Sequence, residues 1–136
     1  MYDDLTVADN VRFWARACGA APSEADAAMH ALGVDGRLAD VTVAKLSAGQ
    51  RRRASIAAMV ARRPELWLLD EPHAGLDASA RDVIDDLVRA AAAAGATILI
   101  ASHELERASA LATNVIHLAG GTVRDQAREE VVAGVS

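Results

Sequence analysis

The sequence predicts an α/β fold, in which a helical subdomain comes first and part of a mainly parallel sheet flanked by helices follows. Apolar residues recur at helical spacing through most of residues 7–63, whereas two apolar runs, residues 66–69 and 96–101, have the length of buried strands. A helical pattern separates the two runs, and this order favours parallel strands joined by a right-handed crossover. We therefore expect two parts, residues 1–64 and residues 65–136.

The helical part begins with two helices that have recognisable starts. Thr6 and Asp9 have the spacing of a capping box with Asp in place of Glu, which predicts a helix over residues 7–18. Ser23 gives a similar start signal for a second helix over residues 24–32. A glycine follows each of these patterns, as is typical of a helix C terminus.

A third helix is predicted to begin at Ser47, which can cap residues 48–63. This helix must end before the next proline, because the residue that precedes a proline disfavours helical geometry. Between the two predicted strands, residues 79–94 form a further helix that carries Asp85 and Arg89 at the i,i+4 spacing of an exposed ion pair. The strand–helix–strand unit is therefore the centre of the α/β part.

The end of the sequence predicts a short helix and a hairpin. The helix is expected over residues 104–112. Two strands, residues 115–118 and 122–124, flank Gly120 and Gly121, and a glycine pair is typical of a two-residue hairpin turn.

Composition and charge exclude several classes of protein. The 14 basic and 19 acidic residues give a net charge of −5, so we expect no nucleic-acid partner. The longest weakly polar stretch, residues 90–101, is shorter than the ~20 residues that span a bilayer. The first residues lack the basic and apolar regions of a secretion signal, which predicts a cytoplasmic protein that reaches a membrane only through a partner. Cys18 is expected to be a small buried hydrophobe.

Four short motifs follow one another through the middle of the chain. In order they are Leu46-Ser47-Ala48-Gly49-Gln50, Leu66-Trp67-Leu68-Leu69 followed by Asp70-Glu71-Pro72, Ala74-Gly75-Leu76-Asp77, and Ser102-His103-Glu104. Parallel strands place their carboxyl ends at one edge of a sheet, so Asp70, Glu71 and His103 should lie close together. The helix that starts at Ser47 offers unpaired N–H groups and the positive end of its dipole to an anion.

Taken singly, each motif has a simpler structural explanation. The first is a helix start, the second is a buried strand with a charged end, and His103 on its own is more often a surface histidine. Their occurrence together and in one order indicates a shared function.

Together the motifs resemble the signature sequence, Walker B strand, D-loop and switch histidine of ABC-type ATPases, and the resemblance extends from about Leu5 to Arg124. It implies a P-loop NTPase fold that binds ATP and Mg²⁺. The sequence contains no G-x-x-x-x-G-K-[S/T] stretch, the loop that holds nucleotide phosphates. We therefore expect the C-terminal two-thirds of a nucleotide-binding domain, inactive alone, with apolar strand surface open to solvent.

The resemblance also implies a role for each matching residue. Asp70 would hold magnesium through a water molecule, Glu71 would act as the general base, and His103 would contact the γ-phosphate. Asp77 would link two active sites across a dimer. Residues 47–50 would contact the ATP of the opposite subunit, with Ala48 in place of the commoner glycine.

Within the ABC class, the resemblance is strongest to transporter subunits. Translation factors of this class carry Thr-Asn-His where this chain has His73-Ala74-Gly75, and no long heptad coil of the chromosome proteins is present. Residues 5–10 and 46–53 are most similar to exporter ATPases, among them the haem exporters of cytochrome c maturation. This implies a transmembrane permease and a second ATP-binding subunit as partners, and a place at the inner face of the cell membrane.

A second hypothesis is a non-catalytic interaction module that docks on a membrane subunit or on a complete partner ATPase. The missing phosphate loop distinguishes the two hypotheses, since an upstream reading frame that encodes this loop would favour the enzyme. His73 could either reach the nucleotide or be exposed to solvent, and we expect it to be exposed. The arginines at positions 51–53 indicate either nearby anions or a solvated basic face.

Overall fold

The computed structural model of the chain describes residues 1–124 and confirms the predicted α/β fold class. The described helices and strands are, in order, α1 (Val7–Ala17), α2 (Pro22–Ala31), α3 (Ala48–Val60), β1 (Leu66–Asp70), α4 (Ala78–Ala93), β2 (Thr97–Ala101), α5 (Leu105–Leu111), β3 (His117–Ala119) and β4 (Thr122–Arg124). One unit extends from Met1 to His103, and another begins at Glu104. Residues 125–136 of the predicted α/β part lie outside the described residues.

The predicted start of α1 is confirmed, whereas that of α2 is wrong. Thr6 Oγ1 accepts a hydrogen bond from the Asp9 N–H at 3.1 Å, as a capping side chain should. Helix α2 begins at Pro22, before the predicted cap at Ser23. The fixed backbone angle of proline suits the first helical position, and the proline determines the start of this helix.

Helices α1, α2 and α3 pack against one another around an apolar core. Within residues 1–124, most of the fully buried apolar side chains belong to these helices and to the segment between α2 and α3, among them Val7, Val11, Ala15, Ala25, Met29, Val34, Val43, Ala54 and Ala57. Small alanine side chains allow the helices to approach closely. Cys18 was expected in this core but is exposed, because it follows the last buried turn of α1.

Strands β1 and β2 form the predicted parallel pair, and α4 connects them. Trp67 is buried on one face of this pair, and its indole Nε1 donates a hydrogen bond to the Pro64 carbonyl at 3.0 Å. The opposite face is open, since Leu66, Leu68 and Leu99 are between 54% and 67% exposed. The structure therefore shows the open apolar surface that the sequence predicts.

The second unit contains α5 and the predicted hairpin. Strands β3 and β4 are antiparallel and are joined by Gly120 and Gly121, which have φ angles of 59° and 77°. Two successive positive φ angles are typical of a two-residue hairpin turn and are easily adopted by glycine. Among residues 1–124, no helix has the length and apolar character that a membrane crossing requires.

Candidate active site

The carboxyl ends of β1 and β2 bring Glu71 and His103 together, as the sequence predicts. The Glu71 N–H donates to the Ala101 carbonyl at 2.9 Å and so extends the pairing of β1 with β2 by one residue. The carboxylate of Glu71 then accepts a hydrogen bond from the backbone N–H of His103, also at 2.9 Å. The His103 Nε2 atom lies 3.4 Å from the same carboxylate oxygen. One carboxylate is thus held by the end of the neighbouring strand.

The site is open to solvent on the side of the histidine. The His103 side chain is 97% exposed and that of Glu71 is 30% exposed. Asp70, at the end of β1, is also exposed and lies in register with Ala101. All three residues therefore lie at the edge of the sheet where β1 and β2 end.

Asp70 has the chemistry that magnesium requires. Mg²⁺ binds through one or two carboxylates and completes its coordination with water and substrate phosphate oxygens. Within residues 1–124, His, Cys, Asp and Glu side chains do not gather into a group of three or more that could enclose a metal. The exposed carboxylate of Asp70 fits an open magnesium site that is shared with a substrate, and it does not fit an all-protein cage.

The start of α3 is built as the sequence predicts. Ser47 Oγ accepts from the Gln50 N–H at 3.2 Å, and Gln50 Oε1 accepts from the Ser47 N–H at 2.9 Å, which completes a capping box. The N–H groups of Ala48 and Gly49 have no acceptor within the helix, because they belong to its first turn. The Ser47 hydroxyl keeps its hydrogen for donation, since the capping contact uses only its oxygen as an acceptor.

Gly49, at the start of α3, lies beside the D-loop, and the space there would admit a Cβ atom at ordinary van der Waals distances. A Cβ atom at Gly49 would lie 3.4 Å from the Gly75 carbonyl oxygen and 3.9 Å from a methyl carbon of Leu76. Gly75 itself has a φ angle of 72°, which favours glycine. The signature motif and the D-loop of this chain are therefore neighbours in the fold.

Asp77 has a local structural role. Its Oδ1 atom accepts a hydrogen bond from the Ala80 N–H at 2.8 Å, so Asp77 is the N-cap of α4. The cap fixes the point at which the D-loop ends. The predicted role of Asp77 across a dimer stays a prediction.

The prediction that His73 is exposed is wrong. Its side chain is 2% exposed, and its Nε2 atom lies 2.8 Å from Oδ1 of Asp85, whose side chain is 9% exposed. The predicted pairing of Asp85 with Arg89 is also wrong, because Arg89 contacts Asp86 at 3.0 Å instead. Asp85 lies beside Ile84 on the buried side of α4, where it can reach the loop after β1.

Sequence reasoning did not assign Arg52 to the site, although it noted the three arginines. The guanidinium group of Arg52 donates to the carbonyl oxygens of three successive residues, Asp70, Glu71 and Pro72. Hydrogen bonds to backbone carbonyl oxygens cannot be recognised from a sequence pattern. The only available signal was the unusual position of three cations near the positive end of a helix.

The fold and this edge of the sheet define a nucleotide-binding domain of the ABC type. The model of the ABC transporter family matches residues 1–74 of the chain. The chain belongs to the ABC transporter family.

The chain is also similar to curated export ATPases. It is 42% identical over 99 residues to the cytochrome c biogenesis ATP-binding export protein CcmA of Rhodopseudomonas palustris, which corresponds to 73% of this chain and 49% of that protein. The CcmA protein of Rhodospirillum rubrum is 39% identical over 100 residues, or 74% of this chain and 42% of that protein. The chain spans about half the length of the curated relatives it matches.

Solved structures share the same fold. An ATP-binding subunit of an ABC transporter has a TM-score of 0.83 at 26% identity, with 92% of this chain and 53% of that chain covered. A dimeric bacterial ABC transporter cassette has a TM-score of 0.68 at 26% identity, over 76% of this chain and 45% of that chain. A bacterial Atm1-family ABC exporter with ATP bound has a TM-score of 0.65 at 27% identity, over 78% and 20% of the two chains.

Proposed function

We propose that the chain is part of the ATP-binding and ATP-hydrolysing subunit of an ABC exporter. The observation that carries this proposal is the contact between Glu71 and His103. A carboxylate held at 2.9 Å by the switch histidine N–H stands at the carboxyl edge of a parallel sheet, directly after the proposed magnesium residue Asp70. This is where open α/β sheets bind their ligands.

Glu71 is the proposed general base for the water that attacks the γ-phosphate. Its carboxylate is partly exposed, so a water molecule can reach it, and its second oxygen lies 3.4 Å from Ser102 Oγ. The exposed His103 imidazole donates to the γ-phosphate and so reports whether that group is present. Asp70 would hold magnesium through a water molecule, and the metal when bound would offset the charge on the phosphates.

The signature motif is proposed to serve the ATP of a second subunit. The N–H groups of Ala48 and Gly49, the Ser47 hydroxyl and the half-buried Gln50 side chain form an anion site at the start of α3. The similar bacterial cassette is dimeric, which supports this arrangement. Two subunits, identical or different, would each complete the site of the other, with Asp77 near the junction.

The transported substrate and the further partners are proposed from the relatives. The curated relatives are named as export proteins of cytochrome c biogenesis, and this supports an exporter. In the proposed complex this chain binds a transmembrane permease subunit at the inner face of the cell membrane. The resemblance to the haem exporters of cytochrome c maturation makes haem the proposed substrate. The net charge of −5 supports a protein partner and not a nucleic acid.

The test is the variant Glu71→Gln in the protein encoded by the complete reading frame. We expect steady-state hydrolysis to fall by about 10²–10⁴-fold, the usual contribution of a general base, while ATP binding stays close to that of the parent. Glu65→Gln is the matched control, because Glu65 is an exposed glutamate at the opposite end of β1. The 136-residue chain alone should show no turnover.

Two results would contradict this function. Equal loss of ATP binding and hydrolysis in Glu71→Gln would make Glu71 a structural residue. A complete protein without any ATPase activity would favour the alternative, a non-catalytic module that docks on a membrane subunit or on a partner ATPase.

A further inference from the structure

Arg52 connects the signature helix to the loop that carries the proposed general base. It lies on α3, two residues after Gln50. Its Nε atom donates to the Pro72 carbonyl at 3.2 Å, and its Nη2 atom donates to the Asp70 carbonyl at 2.8 Å and to the Glu71 carbonyl. One guanidinium group therefore holds three successive backbone carbonyls where β1 ends.

The backbone of residues 70–72 needs contacts with another part of the chain to hold its conformation. Glu71 has a φ angle of 45°, in the left-handed region that residues other than glycine rarely adopt. Such a conformation persists only where the surrounding structure enforces it. The three carbonyls point to the guanidinium group of Arg52, and hydrogen bonds from a charged donor are the stronger ones in proteins.

The two neighbouring arginines have different contacts. Arg51 forms an ion pair with Asp3 at 2.9 Å, with both side chains well exposed. Arg53 donates to the carbonyls of Leu32 and Gly33 at 3.2 and 3.4 Å, after the end of α2. Of these three cations, Arg52 alone makes a hydrogen bond to the loop after β1.

We propose that Arg52 is a positioning residue for hydrolysis. It fixes the backbone of residues 70–72, so that the Glu71 carboxylate stays against the His103 N–H and faces the attacking water. Arg52 belongs to the helix whose start is proposed to contact a partner's ATP. A displacement of the signature motif would therefore be transmitted through the Arg52 side chain to the chain's own general base, Glu71. The catalytic consequence rests on the proposed function, whereas the structural role does not.

The structural role is tested on the chain itself by amide hydrogen exchange. Three N–H groups report on the loop, namely Glu71, Ala74 and His103, whose acceptors are the Ala101 carbonyl, the Glu71 carbonyl and the Glu71 carboxylate. In Arg52→Ala these amides should exchange about tenfold faster or more, because charge-assisted hydrogen bonds that hold the loop are lost.

Arg51→Ala is the matched control for this experiment, since it removes an arginine from the same helical turn. We expect it to leave the exchange of the three loop amides unchanged. The amide of Ala57, inside α3, shows whether each variant keeps its helical core. Arg52→Lys is a second variant that retains the charge but lacks the forked donor group, and it should protect the loop only in part.

The catalytic role is tested in the complete protein. Arg52→Ala should lower kcat by about a hundredfold with KM little changed, as expected when a reacting group is misplaced and substrate binding is retained. Arg51→Ala should keep the parent kcat. If the complete parent protein has no ATPase activity, the proposed function fails, and the exchange experiment still decides the structural role.

Two results would overturn the inference. Equal exchange rates at the loop amides in Arg52→Ala and in the parent would show that the guanidinium group does not hold the loop. A kcat equal to that of the parent, or a rise in KM alone, would show that Arg52 does not position Glu71 for hydrolysis.

Discussion

The helical region, residues 7–61, and the sheet region, residues 66–101, are stabilised in different ways. The helical region has a closed apolar core built from three helices. Beyond it, the buried apolar residues in the part of the unit that ends at His103 are Trp67, Leu76, Ile84 and Val88. One face of the sheet is open to solvent, and polar contacts hold the loop after β1.

The difference bears on the two phosphate sites that we propose. The start of α3 carries a capping box, and the same helix contributes Ala54, Ala57 and Ala58 to the closed core. The loop after β1, which carries the proposed general base, depends on specific contacts. These are the Arg52 hydrogen bonds and the buried pair of His73 and Asp85. A loop held by a few polar contacts can change position with few broken contacts, which suits a site that must respond to a nucleotide.

Replacement of a large apolar side chain by alanine should lower the free energy of unfolding very differently in the two regions. This is the largest effect we expect. Met29 is 2% exposed in the helical core, whereas Leu68 is 67% exposed on the sheet. Met29→Ala should lower the free energy of unfolding by about 2–5 kcal/mol, and Leu68→Ala by less than about 0.5 kcal/mol. Urea denaturation measures both. A large loss in Leu68→Ala would mean that this face is covered, which would contradict the comparison.

The buried pair in the sheet region should matter more than an exposed pair in the helical region. Asp85→Ala leaves the buried His73 without its hydrogen-bond partner and should lower the free energy of unfolding by about 2–3 kcal/mol. Asp26→Ala removes an exposed ion pair with Arg12, whose atoms lie 2.9 Å apart. This variant should change the free energy of unfolding by less than about 1 kcal/mol. Similar losses in the two variants, again by urea denaturation, would refute the idea that this pair anchors the loop.

A pH titration of the helical region should show the smallest effect. The hydrogen bond from His30 lowers the pKa of Asp35 below its ordinary value of 3.8. Because the folded pKa is the lower one, the stabilisation is complete above the unfolded pKa and disappears as the pH falls through the folded pKa. NMR titration of the Asp35 carboxyl should show this lowered pKa, and His30→Ala should restore the ordinary value. If the pKa of Asp35 in His30→Ala stayed as low as in the parent, the shift would have another cause.

The sequence predicted the features that depend on local pattern. Ser47 and Gln50 form the expected capping box, and the parallel strands follow from their apolar runs. The meeting of Glu71 with His103 was predictable because parallel strands end at the same edge of a sheet. The catalytic roles of these residues stay predictions.

The features that sequence reasoning missed depend on contacts between distant elements. The burial of His73 follows from Asp85 on the next helix, and neither residue type by itself indicates the pairing. Arg52 binds backbone carbonyls, which every residue possesses and which no motif records. The burial of Cys18 was predicted wrongly, because helical spacing predicts a buried face but does not show where that face ends.

The most direct test of the contrast between the two regions is residue-resolved hydrogen exchange of the chain in low urea. We predict that amides in the cores of α1 and α3 exchange only through the rarest openings, whereas amides of β1 and β2 exchange through more frequent partial openings that leave the helices folded. Binding of a hydrophobic dye to the open sheet face should accompany these openings. Equal protection of helical and strand amides, in a monodisperse chain that binds no dye, would contradict the account.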